Sequence, residues 1–436
     1  MSKSTKHEKK LTWWQMSFIG VGCIIGTGYF LGSSITIEKA GYLVLLAYFL
    51  AAIGTWIVYE ALAKLTAEHP EKGSFRTYAK QAFGQWAGFS NGWVYWSSEM
   101  LIMGSQLTAL ALFAQFWFPK SPLWLSASVF ASLGLIVILI GVQLVEKMEN
   151  VFGVMKIAAI IMFLAIGAAA LLGWLEPEKG QVDMHITSKH FLSGSTMGLW
   201  VALVYAFYAF GGIEVMGLMA NELEDPKNAP KAGKIMLFVL TILYVTSFFV
   251  VLKLTPLKSI DPNESPFLTA LTQFDFPWVP HVFNAILIIA GFSTMVASLY
   301  AVTTMLVTLA EEEDAPAFFA KKSRKIPLPA FSLTTLVVLL SIVVALLLPE
   351  NIFEYLTTAA GLMLLYNWMF ILFSYRKLTK TTFKDHLKIG IGVVLIGTAI
   401  SGTLFDKISR AGFLVSLCFL VLIAGATFLK MKRKHS

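Results

Sequence analysis

Two glycine-interrupted stretches decide the fold of this chain. The first reads Gly20-Val21-Gly22-Cys23-Ile24-Ile25-Gly26-Thr27-Gly28, and the second reads Phe207-Tyr208-Ala209-Phe210-Gly211-Gly212-Ile213-Glu214. Each stretch lies near the middle of a long apolar run, and glycine lowers the stability of a helix. A helix that breaks inside a bilayer exposes backbone amides and carbonyls, which is tolerated only beside a cavity or a ligand. The two stretches therefore predict a pair of broken membrane helices.

The composition of the chain indicates a membrane protein. Of its 436 residues, 57% are apolar and 14% are charged, and the mean hydropathy is +0.71. Soluble domains are about 45–50% apolar and about 25% charged. Twelve apolar runs lie between residues 13 and 429, and each approaches the length of about 20 residues that crosses a bilayer. We predict an all-α membrane protein with 12 transmembrane helices and no soluble domain, so the lipid bilayer is its first partner.

The glycine stretches fall in the first and the sixth of these runs. An offset of five helices reverses the direction of crossing, so residues 13–174 and 195–375 are predicted to form a 5+5 inverted repeat with broken helices 1 and 6. Together they make a transporter core at residues 13–375, which helices 11 and 12 follow at residues 388–429. Close packing of helices through small residues is the alternative explanation for either glycine stretch.

The distribution of Lys and Arg predicts the orientation in the membrane. Of the 34 such residues, 25 lie on the side of the two tails at residues 1–12 and 430–436, 8 lie on the opposite side, and Lys156 lies inside a helix. Loops rich in Lys and Arg remain in the cytoplasm, so we predict cytoplasmic termini and a plasma-membrane location. The net charge of +8 follows from this pattern, and nucleic acid is not expected as a partner.

No cluster of residues suggests an enzyme, a metal site or a cofactor. The two cysteines, Cys23 and Cys418, lie in apolar runs, and of the seven histidines only His281 lies at a helix edge. The acidic stretch from Glu311 to Asp314 precedes several basic residues, which predicts a solvated loop. A membrane enzyme would need an embedded catalytic cluster, and a channel would show a continuous polar stripe, so both are disfavoured.

The predicted breaks present groups that match the head of an α-amino acid. Free amides at Gly26, Thr27 and Gly28, together with the positive end of a helix dipole, suit a carboxylate. Freed carbonyls before each break suit an ammonium group. The aromatic residues beside the second break form either a lid or wall over the ligand or ordinary packing. The predicted substrate-binding residues are Gly22, Cys23, Ile24, Gly26, Thr27, Gly28, Phe207, Tyr208, Phe210, Gly211 and Gly212.

Five ionisable side chains lie within or at the edges of the apolar runs. Charge inside a bilayer costs several kcal/mol unless it is paired, hydrated or neutralised. Lys156 and Glu214 are the candidates for proton coupling; the alternatives are a lysine that snorkels to the interface and a carboxyl that binds open backbone. Glu60 and Lys64 are four residues apart, as in an ordinary ion pair. Glu99 has no partner visible in the sequence.

Several motifs in one order extend these observations. They are Ile25-Gly26-Thr27-Gly28, Gly73-Ser74-Phe75, Gly92-Trp93 with Tyr95-Trp96, Phe210-Gly211-Gly212-Ile213-Glu214 with Glu222, Asp225-Pro226-Lys227 and Ala315-Pro316. Through most of the first ten helices they resemble the amino acid permeases of the amino acid-polyamine-organocation superfamily, in its bacterial amino acid transporter branch.

The resemblance implies a leucine-transporter-type fold and a set of roles. Thr27 and Gly28 are expected to bind the substrate carboxylate, and carbonyls near Ile24, Tyr208 and Gly211 to bind the amine. A lysine that matches Lys156 occupies the place of a sodium ion in the family and is implicated in proton coupling. The chain departs from the family at Lys64, where a carboxylate is common, and at residues 295–300, which lack a polar run.

These observations predict a function and leave two alternatives open. The expected activity is secondary active transport of amino acids, with neutral substrates favoured by the small, apolar and aromatic residues near the breaks. Alternating access coupled to protons is the expected mechanism. An amino acid exchanger and a polyamine or organocation carrier are the alternatives, although a polyamine carrier would need more carboxylates near the site.

Overall fold

The computed structural model describes residues 10–71, 73–140, 142–177, 195–219, 223–321, 327–347 and 351–435. Within these ranges the chain is helical, and the only extended pairing is an isolated bridge between Leu11 and Leu223. The α-helices, numbered in chain order, are α1 (Trp13–Ile24), α2 (Thr27–Phe30), α3 (Gly32–Ala40), α4 (Val44–Glu68), α5 (Ser74–Phe83), α6 (Gln85–Gln115), α7 (Leu123–Ile140), α8 (Val142–Leu171), α9 (Thr196–Tyr208), α10 (Ile213–Met219), α11 (Ala229–Leu254), α12 (Pro266–Leu271), α13 (Val279–Glu311), α14 (Leu328–Leu347), α15 (Ile352–Leu378), α16 (Phe383–Gly402) and α17 (Lys407–His435).

The helices have the length and composition of membrane spans. In the described residues, nine helical stretches are long and apolar enough to cross a bilayer. Large apolar side chains on the outer helices are exposed, for example Ile136 at 50% and Leu340 at 55%, as expected for surfaces that face lipid. The prediction of an all-α membrane protein is confirmed, while the number of twelve spans stays a prediction.

The first apolar run breaks within the glycine stretch. α1 ends at Ile24, Ile25 and Gly26 take extended backbone conformations, and the chain is helical again from Thr27. Gly26 lies against α13, where an added Cβ would be 3.0 Å from Thr294 Cγ2. Glycine therefore allows the extended segment to approach α13 closely.

The sixth apolar run also breaks within its glycine stretch. α9 ends at Tyr208, a turn follows, and α10 begins at Ile213. Gly212 has a φ of +110°, a conformation that residues with a side chain rarely adopt. An added Cβ at Gly212 would lie 3.3 Å from Ile24 Cγ1, so the two breaks are in contact.

The two broken runs pack against each other in a reciprocal way. α1 packs against α10 and α11, and α9 packs against α3 and α4. α1 and α9 thus each contact the other broken run and the helix that follows that run. A short helix also follows the helix after each broken run: α5 lies between α4 and α6, and α12 lies between α11 and α13.

The acidic stretch after α13 differs from the predicted solvated loop. The Asp314 side chain is buried and pairs with Arg76 of α5 and Lys430 of α17, and it accepts a 3.1 Å hydrogen bond from Gln85 Nε2. The prediction is wrong at Asp314 because its partners are distant in sequence. The basic residues at 322–325 and the segments at 1–9 and 178–194 lie outside the described residues, as does Glu222.

Replacement of Asp314 by alanine is expected to destabilise the protein by about 3–5 kcal/mol, because it leaves the buried Arg76 guanidinium without this partner. Unfolding by SDS titration in mixed micelles measures the change. Glu68→Ala removes an exposed carboxylate at the end of α4 and serves as the control. Equal stability of the two variants would contradict a structural role for the Asp314 cluster.

The predicted ion pair between Glu60 and Lys64 is confirmed and is part of a larger cluster. Lys64 Nζ lies 3.1 Å from Glu60 Oε1 and 3.0 Å from Asp385 Oδ1, and Lys388 Nζ lies 2.8 Å from Glu60 Oε2. Asp385 and Lys388 belong to α16, so the cluster connects α4 to α16.

Candidate functional site

A cavity of about 130 Å³ lies where the two breaks meet. This volume is roughly tenfold the ~10–15 Å³ that one water needs, so the cavity accommodates a small molecule. Four elements form its wall: the two breaks, one face of α6 and one face of α13.

The first break supplies hydrogen-bond donors to the cavity. The amides of Gly26, Thr27 and Gly28 lie at the N-terminal end of α2, and no acceptor for them lies among the described residues. Thr27 Oγ1 is buried and likewise lacks a hydrogen-bond partner there. Buried polar groups are normally satisfied, so this cluster of donors is suited to an anionic group such as a carboxylate.

The second break supplies acceptors, but fewer than the sequence suggested. Tyr208 O accepts the amide of Gly211 at 2.9 Å, and Ala209 O accepts the Tyr244 hydroxyl at 3.1 Å. The carbonyls of Phe210 and Gly211 have no donor among the described residues. Gly211 and Gly212 line the cavity, so the open carbonyl of Gly211 belongs to the wall formed by the second break.

Three of the predicted substrate-binding residues do not line the cavity. Gly22 O accepts a hydrogen bond from Lys156. Phe207 packs beside Trp368, with ring centroids 6.0 Å apart, and Phe210 packs beside Tyr244 at 5.1 Å. Both phenylalanines are fully buried in the core. Phe207 and Phe210 therefore follow the packing alternative, while Tyr208 reaches the cavity wall.

Lys156 is buried within the helices. Its exposed fraction is 0%, and Nζ donates a 2.9 Å hydrogen bond to Gly22 O, directly before the first break. The snorkelling alternative is wrong, because the ammonium points inward to α1. The contact joins α8 to the end of α1, although Lys156 does not line the cavity.

Glu214 stabilises the second break. Its carboxylate accepts hydrogen bonds from Trp368 Nε1 of α15 and, at 3.0 Å, from the amide of Gly212. The side chain is 1% exposed and lies outside the cavity wall. Its contacts correspond to the structural alternative, in which the carboxyl binds open backbone.

The sequence did not point to the faces of α6 and α13 as walls of the cavity. On α6, the lining residues are Tyr95, Glu99, Ile102 and Gln106, at spacings that place them on one side of a helix. On α13, they are Thr294, Ala297, Ser298 and Ala301. Polar residues that recur at helical spacing in an apolar run, Glu99 among them, are the sequence signal of such a face.

Gln106 adds a second unsatisfied group to the cavity. Its Oε1 atom is buried and has no hydrogen-bond partner in the described part of the chain, as is true of Thr27 Oγ1. Both residues line the cavity. Unsatisfied polar atoms on two walls indicate that the cavity holds polar contents, either a ligand or water.

Comparisons with known proteins identify the family of the chain. A family model described as amino acid permease matches residues 15–405. The transporter YcgH of Bacillus subtilis is 54% identical over 100% of this chain and 98% of its own length. The aromatic amino acid transport protein AroP of Corynebacterium glutamicum is 31% identical over 93% of each chain. AroP of Escherichia coli K12 is 29% identical over 83% of this chain and 80% of its own length. The chain belongs to the amino acid permease family and is therefore a transporter, not an enzyme.

Proposed function

We propose that the protein carries neutral amino acids across the plasma membrane by alternating access, in symport with protons. The observation that carries this proposal is the cavity lined by both breaks, where the amides of the first break and the carbonyl of Gly211 in the second have no partner among the described residues. An α-amino acid has a carboxylate and an ammonium on adjacent atoms, so it matches both walls at once.

The remaining walls support a neutral side chain. Ile102, Val215, Ala297 and Ala301 supply apolar surface, and Tyr95 supplies an aromatic ring. Two of the relatives are named aromatic amino acid transport proteins, and aromatic amino acids have uncharged side chains. We therefore place aromatic and aliphatic amino acids first among the substrates to be tested.

The proposed architecture has twelve helices, with helices 1–10 forming the leucine-transporter-type inverted repeat. The reciprocal contacts of α1 with α10 and α11, and of α9 with α3 and α4, support two related halves. The 25 to 8 distribution of Lys and Arg supports cytoplasmic termini. Movement of the two broken helices relative to α6 and α13 would open the cavity to each side in turn.

Lys156 and Glu214 are the proposed coupling residues outside the cavity wall. Lys156 binds the backbone before the first break, and Glu214 binds the backbone of the second. A change in the charge of either side chain would alter the hydrogen bond that fixes its break. Protonation is thereby linked to the conformation of the binding site.

Uptake of labelled amino acids into proteoliposomes tests the proposed function. With an inward proton gradient, a neutral amino acid is expected to accumulate above its external concentration, by up to about tenfold per pH unit for one coupled proton. Without the gradient, uptake should stop at equilibration. A panel that includes aromatic, aliphatic, cationic and acidic amino acids identifies the substrate class.

Two outcomes would replace this proposal. Uptake that requires preloaded substrate and ignores the proton gradient would establish an exchanger. Uptake of polyamines in preference to amino acids would establish an organocation carrier. The described cavity wall contains a single carboxylate, Glu99, which argues against such a carrier. No uptake across the whole panel would contradict amino acid transport itself.

A further inference from the structure

Glu99 is the one carboxylate or cation among the described residues that line the cavity. It lies on α6, on the same face as Tyr95 and Gln106, and its side chain is half-buried. The two coupling residues considered above, Lys156 and Glu214, do not reach the cavity wall. Glu99 is therefore the ionisable group that a bound amino acid meets directly.

The groups that face Glu99 carry no positive charge. They are Tyr95 on its own helix, Ser298 on α13, Tyr208 on α9 and Glu214 on α10. No other ionisable side chain of the described residues reaches it from the remaining helices packed against α6, which are α5, α7, α14, α15 and α17. Three of its neighbours are hydroxyls and one is another carboxyl, so nothing fixed in the wall balances a negative charge on Glu99.

A charge on Glu99 would oppose the binding of a neutral amino acid. The substrate brings one carboxylate and one ammonium, which in the proposed function bind the open backbone groups of the two breaks. An ionised Glu99 would add a second carboxylate to a cavity of about 130 Å³, where like charges repel because few waters screen them. Neutralisation of Glu99 removes this repulsion.

We propose that Glu99 takes up the proton that enters the cavity with a zwitterionic amino acid. This inference rests on the proposed function and names the group that binds the coupled ion. The proton adds to one oxygen of the Glu99 carboxylate when the cavity faces the more acidic side, and it leaves from the same oxygen on the other side. Because linkage is reciprocal, substrate binding and proton binding strengthen each other.

The test compares substrate affinity of the purified protein at two pH values, with wild type, Glu99→Gln and Glu99→Asp. For wild type, affinity for the best neutral substrate should rise on acidification, by up to about tenfold per pH unit. Glu99→Gln, which mimics the neutral acid, should bind as tightly as acidified wild type and lose most of this pH dependence. Glu99→Asp keeps a carboxyl and should restore it, and Glu68→Gln removes an exposed carboxylate elsewhere as the control.

The same variants in proteoliposomes separate this inference from the proposed function. Glu99→Gln is expected to exchange internal for external substrate while losing gradient-driven accumulation. Unchanged pH dependence of affinity in Glu99→Gln would overturn the role of Glu99 and leave proton-coupled transport by wild type intact. Selective binding of cationic amino acids that Glu99→Gln abolishes would also overturn it, since the carboxylate would then pair with the substrate side chain. Absence of amino acid uptake by wild type would overturn the proposed function as well.

Discussion

Substitution of Lys156 by glutamine or methionine is expected to abolish accumulation of substrate against its concentration gradient. The side chain is fully buried, and its ammonium holds the carbonyl of Gly22 at 2.9 Å, one residue before the cavity wall begins at Cys23. Loss of this charge uncouples the first break from the proton gradient, whereas the amides of Thr27 and Gly28 stay available to the substrate. Uptake should therefore fall to equilibration, while substrate binding to the purified protein stays measurable.

The two Lys156 substitutions distinguish charge from hydrogen bonding. Glutamine keeps a donor for the carbonyl of Gly22, and methionine does not. If glutamine preserves accumulation and methionine abolishes it, the hydrogen bond is required and titration of Lys156 is not. Lys258→Gln, at an exposed lysine between α11 and α12, controls for the loss of one positive charge. Full accumulation by both Lys156 variants would contradict the coupling role.

The broken helices could be predicted from the sequence because their signal is local. Glycine runs inside apolar segments weaken the helix at a known place, and in both runs the helix ends and restarts within the stretch. The ion pair of Glu60 with Lys64 was equally local, since residues four apart on a helix are neighbours. Such features depend on spacing along one helix.

Features that depend on how one helix is rotated against another could not be predicted from the sequence. Tyr208 and Gly211 line the cavity, but Phe207 and Phe210, each one residue earlier, face the core. One residue corresponds to a rotation of about 100° around a helix, and the sequence around a break does not fix that angle. The sequence therefore leaves open which of these aromatics pack in the core and which reach the cavity.

Contacts between segments that are distant in sequence were also not predictable from the sequence. Thr294 and Gln106 became part of the site only when α13 and α6 were packed around the breaks. The charged neighbours of Asp314 in the sequence predict a solvated loop. Its partners Arg76 and Lys430, however, come from α5 and α17. A charge run is informative about exposure only when no distant segment packs on it.

The conformation of Gly212 combines these local and long-range constraints, and Gly212→Ala is expected to weaken substrate binding by about tenfold to a hundredfold. Its φ of +110° costs an alanine about 1–3 kcal/mol, and about 1.4 kcal/mol corresponds to tenfold in affinity. Relief of this strain would turn the peptide groups beside Gly211 and displace the Gly212 amide from Glu214. Equilibrium binding of the best substrate identified in the uptake panel measures the loss.

Gly397→Ala provides a matched control because the same substitution is expected to be harmless at this position. Gly397 is exposed within α16, and an added Cβ meets nothing within 4 Å. Alanine is the better helix former by about 1 kcal/mol, so Gly397→Ala should keep wild-type affinity and gain slightly in stability. Wild-type affinity in Gly212→Ala as well would show that the substrate does not depend on the geometry of the second break. Binding would then have to rest on the amides of the first break and on the walls of α6 and α13.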